Sequence, residues 1–256
     1  MLRNINDILG AWVLVADGKL GEAEEFYFDD VAWKVRYLVV GTGGGLGGRR
    51  VLISPIAIKG ADWAGRSLTL DMTADQVRSS PDIDTEKTVT RRHERELHEH
   101  YAWPFYWGEA FYGGGASGSP LLAAEAAPPG RAEEAGDPHL QGTLEVSGYS
   151  LHAADGGIGR VRDFIVDDAW NIRYLVADTG VWLPGRKVLI SPHWIEDISW
   201  ETEEIFLDLT REAVRKSPEY DPALPVSEDY ESVLYDHYGR PKLENPPPRR
   251  PRERRR

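Results

Sequence analysis

Apolar and polar residues change over with a short period along this chain, and turn residues punctuate the runs. An apolar run ending at Leu14–Ala16 meets Asp17-Gly18, a strong hairpin turn signal. The next run places Phe26 and Phe28 on one face of a strand and ends at Asp29-Asp30. A strand from Lys34 to Val40 follows. Three consecutive strands joined by tight turns predict a meander. Further strands are expected at Val51–Ile53, which Pro55 terminates, and at Ser67–Met72. Thr73 stands three residues before Gln76, the spacing of a capping box, so a short helix starts there and Pro81 limits it. A second helix is expected from Thr90 to Tyr101, with Leu97 and Tyr101 on one face.

The whole pattern then recurs. Trp33 to Tyr101 aligns without a gap on Trp170 to Tyr238, at a constant offset of 137, with 30 identities in 69 positions. Arg36-Tyr37-Leu38-Val39 returns as Arg173-Tyr174-Leu175-Val176, and Val51 to Pro55 returns as Val188 to Pro192. The hairpin signal returns as Asp155-Gly156, Phe26 and Phe28 as Phe164 and Val166, and the double aspartate as Asp167-Asp168. The offset before the double aspartate is 138. A one-residue change fits a turn, because inside a strand it would flip every following side chain. The predicted strands of the second copy are Asn171–Ala177, Val188–Ile190 and Glu204–Leu209, and its helices start at Thr210 and Ser227. Chance does not produce such identity, so the sequence reads as an internal duplication. The two copies are expected to pack as an intramolecular pseudo-dimer.

Residues outside the repeat divide the rest. Residues 1–102 form the first expected domain and 142–240 the second. Between them, 103–141 opens with Trp103, Phe105, Tyr106, Trp107, Phe111 and Tyr112, then turns rich in Gly, Ala and Pro, the composition of a linker. Left in water, six large aromatics form an apolar patch of a kind that monomers rarely expose. They are expected either to clamp the groove between the copies or to bind a protein partner, where Trp and Tyr are favoured. Residues 241–256 form a Pro/Arg-rich tail expected to be disordered.

Charge and composition narrow the function. The net charge is −12, although the tail carries six Arg against two Glu, so the body is strongly acidic. That body should repel nucleic acid, which leaves the tail as the route to RNA or an anionic lipid surface. The chain has no Cys, which removes disulfides and thiolate chemistry and fits a cytoplasmic location. The opening residues lack the apolar run of a signal peptide or anchor, and no segment approaches the ~20 apolar residues a membrane span needs.

The Asp-Gly turn, the Asp-Asp turn, the RYLV and VLISP strands and the short C-terminal helix of each copy together resemble the PRC-barrel family. The resemblance covers roughly Leu9 to Ser80 and Ser147 to Ser217. Members of that family resemble the cytoplasmic part of the photosynthetic reaction-centre H subunit and the C-terminal domain of a bacterial ribosome-maturation factor. The resemblance implies a mainly β chain: two tandem small antiparallel β-barrels, each with short C-terminal helices. It also implies a non-catalytic docking role, at a membrane bioenergetic complex or, in the alternative, in ribosome assembly.

Candidate chemistry adds little to that. Gly43, Gly45 and Gly48 spell a dinucleotide fingerprint, but a strand follows where the motif needs a helix. His93, His98 and His100 lie on one predicted helix, and a metal-responsive sensor would use His93 and His100, seven residues apart. Only His100 recurs, as His237, and a solvated charged helix is the simpler reading. Arg36 and Arg173 are expected to face outward beside a carboxylate, and Trp33, Trp170, Trp63 and Trp200 are expected in the core. No nucleophile–base pair, phosphate loop or ligand cluster stands out, so no enzyme activity, cofactor or metal is expected.

Overall fold

The computed structural model describes residues 1–43, 48–81, 89–107, 140–180 and 185–242. The chain opens with β1 (Arg3–Asn4) and α1 (Ile5–Ile8). Strands β2 (Trp12–Val15), β3 (Gly18–Asp29), β4 (Lys34–Gly41), β5 (Arg50–Ile53), β6 (Ile58–Asp62) and β7 (Ser67–Leu70) follow, then helices α2 (Ala74–Arg78) and α3 (Arg91–Tyr101). The second half repeats the series as β8 (Leu140–Gly142), α4 (Thr143–Val146), β9 (Ser150–Ala153), β10 (Gly156–Val166), β11 (Ile172–Asp178), β12 (Lys187–Ile190), β13 (Ile195–Ser199), β14 (Glu204–Leu207), α5 (Arg211–Lys216) and α6 (Glu228–Tyr238). The predicted strands and helices are all present, and the protein is mainly β. β8 begins inside the stretch read as linker.

Two seven-stranded sheets result, with the same strand order. One runs β5-β4-β3-β2-β7-β6 and the other β12-β11-β10-β9-β14-β13. Pairs are antiparallel except for β2 with β7 and β9 with β14, which are parallel. The barrels expected from the resemblance are not closed by hydrogen bonding among the described residues, and each sheet is an open path. Pro55 and Pro192 give part of the reason. Each opens a 3-10 turn, at Pro55–Ala57 and Pro192–Trp194, and contributes no N–H. The turn redirects the chain, so β6 pairs with β7 and β13 with β14 rather than with the strand just before.

Local chemistry fixes these elements. Asp17 turns the first hairpin and its Oδ1 also accepts from Ala74 N–H at 2.8 Å, while Asp155 accepts from Arg211 N–H at 2.7 Å. Each turn aspartate therefore ties a hairpin to the start of a helix. Thr73 and Gln76 form the full capping box, whereas Thr210 caps α5 alone. A Cβ on Gly21 would lie 2.0 Å from Gly41 O, and one on Gly159 2.0 Å from Asp178 O, so the bulged stretches of β3 and β10 admit only glycine there.

β3 and β10 are long enough to serve several partners. β4 lines β3 from Glu22 to Asp29; β2 pairs with its first residues and β8 with Tyr27–Asp29. In the same way β11 and β9 line β10, and β1 pairs with Ile165 and Val166. Buried side chains from both sheets form one cluster, including Phe26, Phe28 and Trp33 with Phe164, Ile165 and Ile172. Phe26 stacks on Trp170 at 5.6 Å and Phe28 meets Phe164 at 5.7 Å. Of the four tryptophans expected inside, Trp33 is buried and Trp170 and Trp200 are partly buried, but Trp63 is 38% exposed. Trp63 sits in the β6–β7 turn, where the Arg3 guanidinium lies 4.0 Å above its ring.

Candidate functional site: an aromatic cap on the first sheet

α3 lies over the outer face of the first sheet. Leu97 joins Tyr37, Val39, Leu52, Val89 and Leu140 in a small core separate from the main one. Thr90 caps the helix by accepting from His93 N–H at 3.2 Å. At the other end Ala102 is left-handed, with φ 55°, and Trp103 N–H donates to His98 O at 2.9 Å. That reversal sends the following aromatics back over the helix.

Trp103, Phe105, Tyr106 and Trp107 gather around the buried imidazole of His98, with ring centroids 5.1–6.0 Å away. Trp103 also stacks on Tyr101 at 4.3 Å. His98 Nδ1 lies 2.9 Å from Pro104 O, and a carbonyl only accepts, so Nδ1 carries the proton. Nε2 then accepts from the Tyr37 hydroxyl, 2.9 Å away. Burial holds the His98 pKa below its ordinary value, which fits a neutral ring. Burial, followed by the Glu94 and Tyr106 charges, pushes the Tyr37 hydroxyl well above its usual range.

Glu94 is fully buried under this cap. Arg91 meets its carboxylate at 2.8 Å and the Tyr106 hydroxyl donates to it at 2.8 Å. Arg36 bonds Asp29 at 2.9 Å, and its guanidinium lies 4.0 Å above Tyr106. Arg91 sits 4.5 Å above Trp107. Two cations, a buried carboxylate and four rings thus hold one another in place, while Phe105 stays 41% exposed.

The second half shows what the cap adds. Glu231 stands where Glu94 does, accepting from Tyr174 OH at 2.7 Å and pairing with Lys242 at 2.8 Å. Arg173 pairs with Asp167 at 3.6 Å, the counterpart of Arg36 with Asp29. Gly239 is left-handed like Ala102, and Arg240 N–H donates to Tyr235 O. From there the chain reads Arg240-Pro241-Lys242 in place of Trp103-Pro104-Phe105. Among the described residues, Lys242 and Arg173 flank the glutamate of the second half, where the first half has the aromatic cap.

The structure brings four of the six candidate aromatics together, on the first half's own helix and sheet, with Leu140 of β8 in the same cluster. Phe111 and Tyr112 lie outside the described residues. Gly45 lies outside them too, and β5, a strand, follows the glycine loop. His100 Nε2 is 2.9 Å from Gln76 O and His237 Nε2 is 2.8 Å from Ala213 O, so the recurrent histidine ties the two helices of each half. Among the described residues, no group of three or more His, Cys, Asp or Glu is placed to hold a metal ion. Glu94 and Glu231 escaped the sequence reading, although they are identical in the repeat and interrupt an apolar helix face.

A separate cleft of ≈ 160 Å³ lies between β6 and β1, lined among others by Arg3, Lys59, Trp63, Asp168 and Trp170. Asp168 there meets the Met1 amine, Lys59 lies 3.5 Å from Asp71, and the Arg3 guanidinium lies over Trp63. Among the described residues no helix is long and apolar enough to cross a membrane. No family model matches the chain, and no curated protein matches it at a significant level.

Proposed function

We propose that the chain is a tandem pair of PRC-barrel-like modules, arranged as an intramolecular pseudo-dimer, that serves as a non-catalytic docking protein. The docking element is the aromatic cap, and the partner is a protein, of the kind the resemblance places at a membrane bioenergetic complex. One observation carries this reading. The second half covers the same sheet face with its own helix and pairs the corresponding buried glutamate with Lys242 and Arg173, and Arg240-Pro241-Lys242 stands where the first half has Trp103-Pro104-Phe105. The fold therefore does not require Phe105 and Trp107. Rigid, partly exposed aromatics held by arginines are the side chains that dominate protein interfaces.

The test replaces Phe105 by a photo-crosslinking phenylalanine analogue in the native cell. Illumination should give a discrete protein adduct at position 105 and none when the analogue replaces Leu224, which is 63% exposed in the second half. Equal labelling at both positions, or none at 105, removes the cap as a docking element.

A further inference from the structure

Each half of this molecule is completed by a segment that belongs to the other. β1 precedes the first half in the chain, yet it pairs with β10 of the second. β8 precedes the second half, yet it pairs with β3 of the first. The registers correspond: Arg3 opposes Val166 and Asn4 opposes Ile165, as Gln141 opposes Phe28 and Gly142 opposes Tyr27. The short helices follow their strands, α1 onto β10 and α4 onto β3. Ile5, Ile8 and Val146 are buried there.

A carboxylate pins each arm at the same place. Asp163 Oδ1 accepts from Asn6 N–H at 3.1 Å, and Glu25 accepts from the backbone of Leu144. Tyr220 of the second half donates to Asn4 at 2.6 Å. The centre of the interface is reciprocal as well. Val35 N–H donates to Trp170 O at 2.9 Å and Ile172 N–H to Trp33 O at 2.7 Å, on either side of a Lys34–Asn171 bridge. Residue for residue, this is the pattern of an isologous two-fold interface.

We infer that the surface joining the halves is a self-sufficient docking interface, and that its second partner is the complementary half of another copy of this chain. The contacts named above all join residues of the two halves, and the covalent connection enters none of them. It leaves at Trp107 and returns at Leu140, and Tyr106 and Leu140 share one cluster on the first half. A connection of some 30 residues spans on the order of 100 Å when extended. It sets an effective concentration in the millimolar range, so a dilute chain closes on itself. Once the connection is cut, the first half of one copy accepts the second half of another with every hydrogen bond preserved. This inference rests on the crossed arms, not on the docking role of the aromatic cap.

The test uses the full chain with a specific protease site inserted between residues 120 and 125. After cleavage the two fragments should co-elute at the mass of the intact chain, 28.7 kDa plus the inserted site. Two differently tagged cleaved proteins, unfolded together and refolded, should exchange second halves freely. Tyr220→Phe removes only the hydroxyl that donates to Asn4 across the interface. It should leave the uncut chain folded and weaken the cut complex about tenfold, the effect of losing one such hydrogen bond. Separation of the fragments on cleavage, aggregation of either fragment, or recovery of no mixed pairs overturns the inference.

Discussion

Asp163 shows how one residue in this fold carries a pH dependence. Its side chain is buried, and it accepts from Asn6 N–H and from Phe164 N–H at 2.7 Å. Burial raises its pKa to about 6, against the opposing pull of those two hydrogen bonds. A raised folded pKa means that protonation favours the native state. The contribution is complete below about pH 4 and is lost as the pH rises through about 6. Asp163→Asn keeps an acceptor for both N–H groups and removes the charge. The variant should be more stable than the parent at pH 8, by on the order of 1–2 kcal/mol, and equal to it near pH 4. Denaturant titrations at both pH values check this; a difference that does not change with pH rules out the buried charge as its cause.

At the scale of the element, the two VLISP strands look alike in sequence and take the same place in their sheets, Leu52 opposite Val39 and Leu189 opposite Val176. Leu189 on β12 belongs to the main core, whereas Leu52 on β5 lies under α3 beside Tyr37, Val39 and Leu97. Both are fully buried. Leu189→Ala and Leu52→Ala should each cost about 2–5 kcal/mol, the range for deleting a buried leucine. Phe105→Ser, at an exposed cap position, should cost less than about 1 kcal/mol. Urea melts of the three variants check the order; a loss for Phe105→Ser equal to that of the leucines would make the cap a structural element. Only the caps and turns of these elements follow from local residues. Thr73, Thr90, Thr210 and Ser227 all cap as their spacing requires, since each needs nothing beyond its own next turn.

At the scale of the molecule, one continuous core joins the sheets, and each sheet borrows a strand from the other half. Neither half can lose its packing while leaving the other intact. Calorimetry should therefore show one cooperative transition with matching calorimetric and van't Hoff enthalpies. Two resolved transitions would mean that the halves are stable by themselves and that the crossed arms contribute little.

The sequence by itself determined the repeat, the meander, the turns, the helix caps and the buried faces of the strands. Those features depend on the period of the backbone and on residues a few positions apart, so one copy reports on the other. Tertiary structure alone decided which edge each two-residue arm pairs with, because every extended segment offers the same N–H and C=O groups and Arg3-Asn4 names no partner. It decided that Trp63 faces outward, since a tryptophan at a turn is indistinguishable in sequence from one in a strand. The site of the aromatic cap was settled in the same way. Trp103 to Trp107 show no period, and their position follows from the left-handed turn at Ala102 and from a buried glutamate and histidine that only the folded chain brings beneath them.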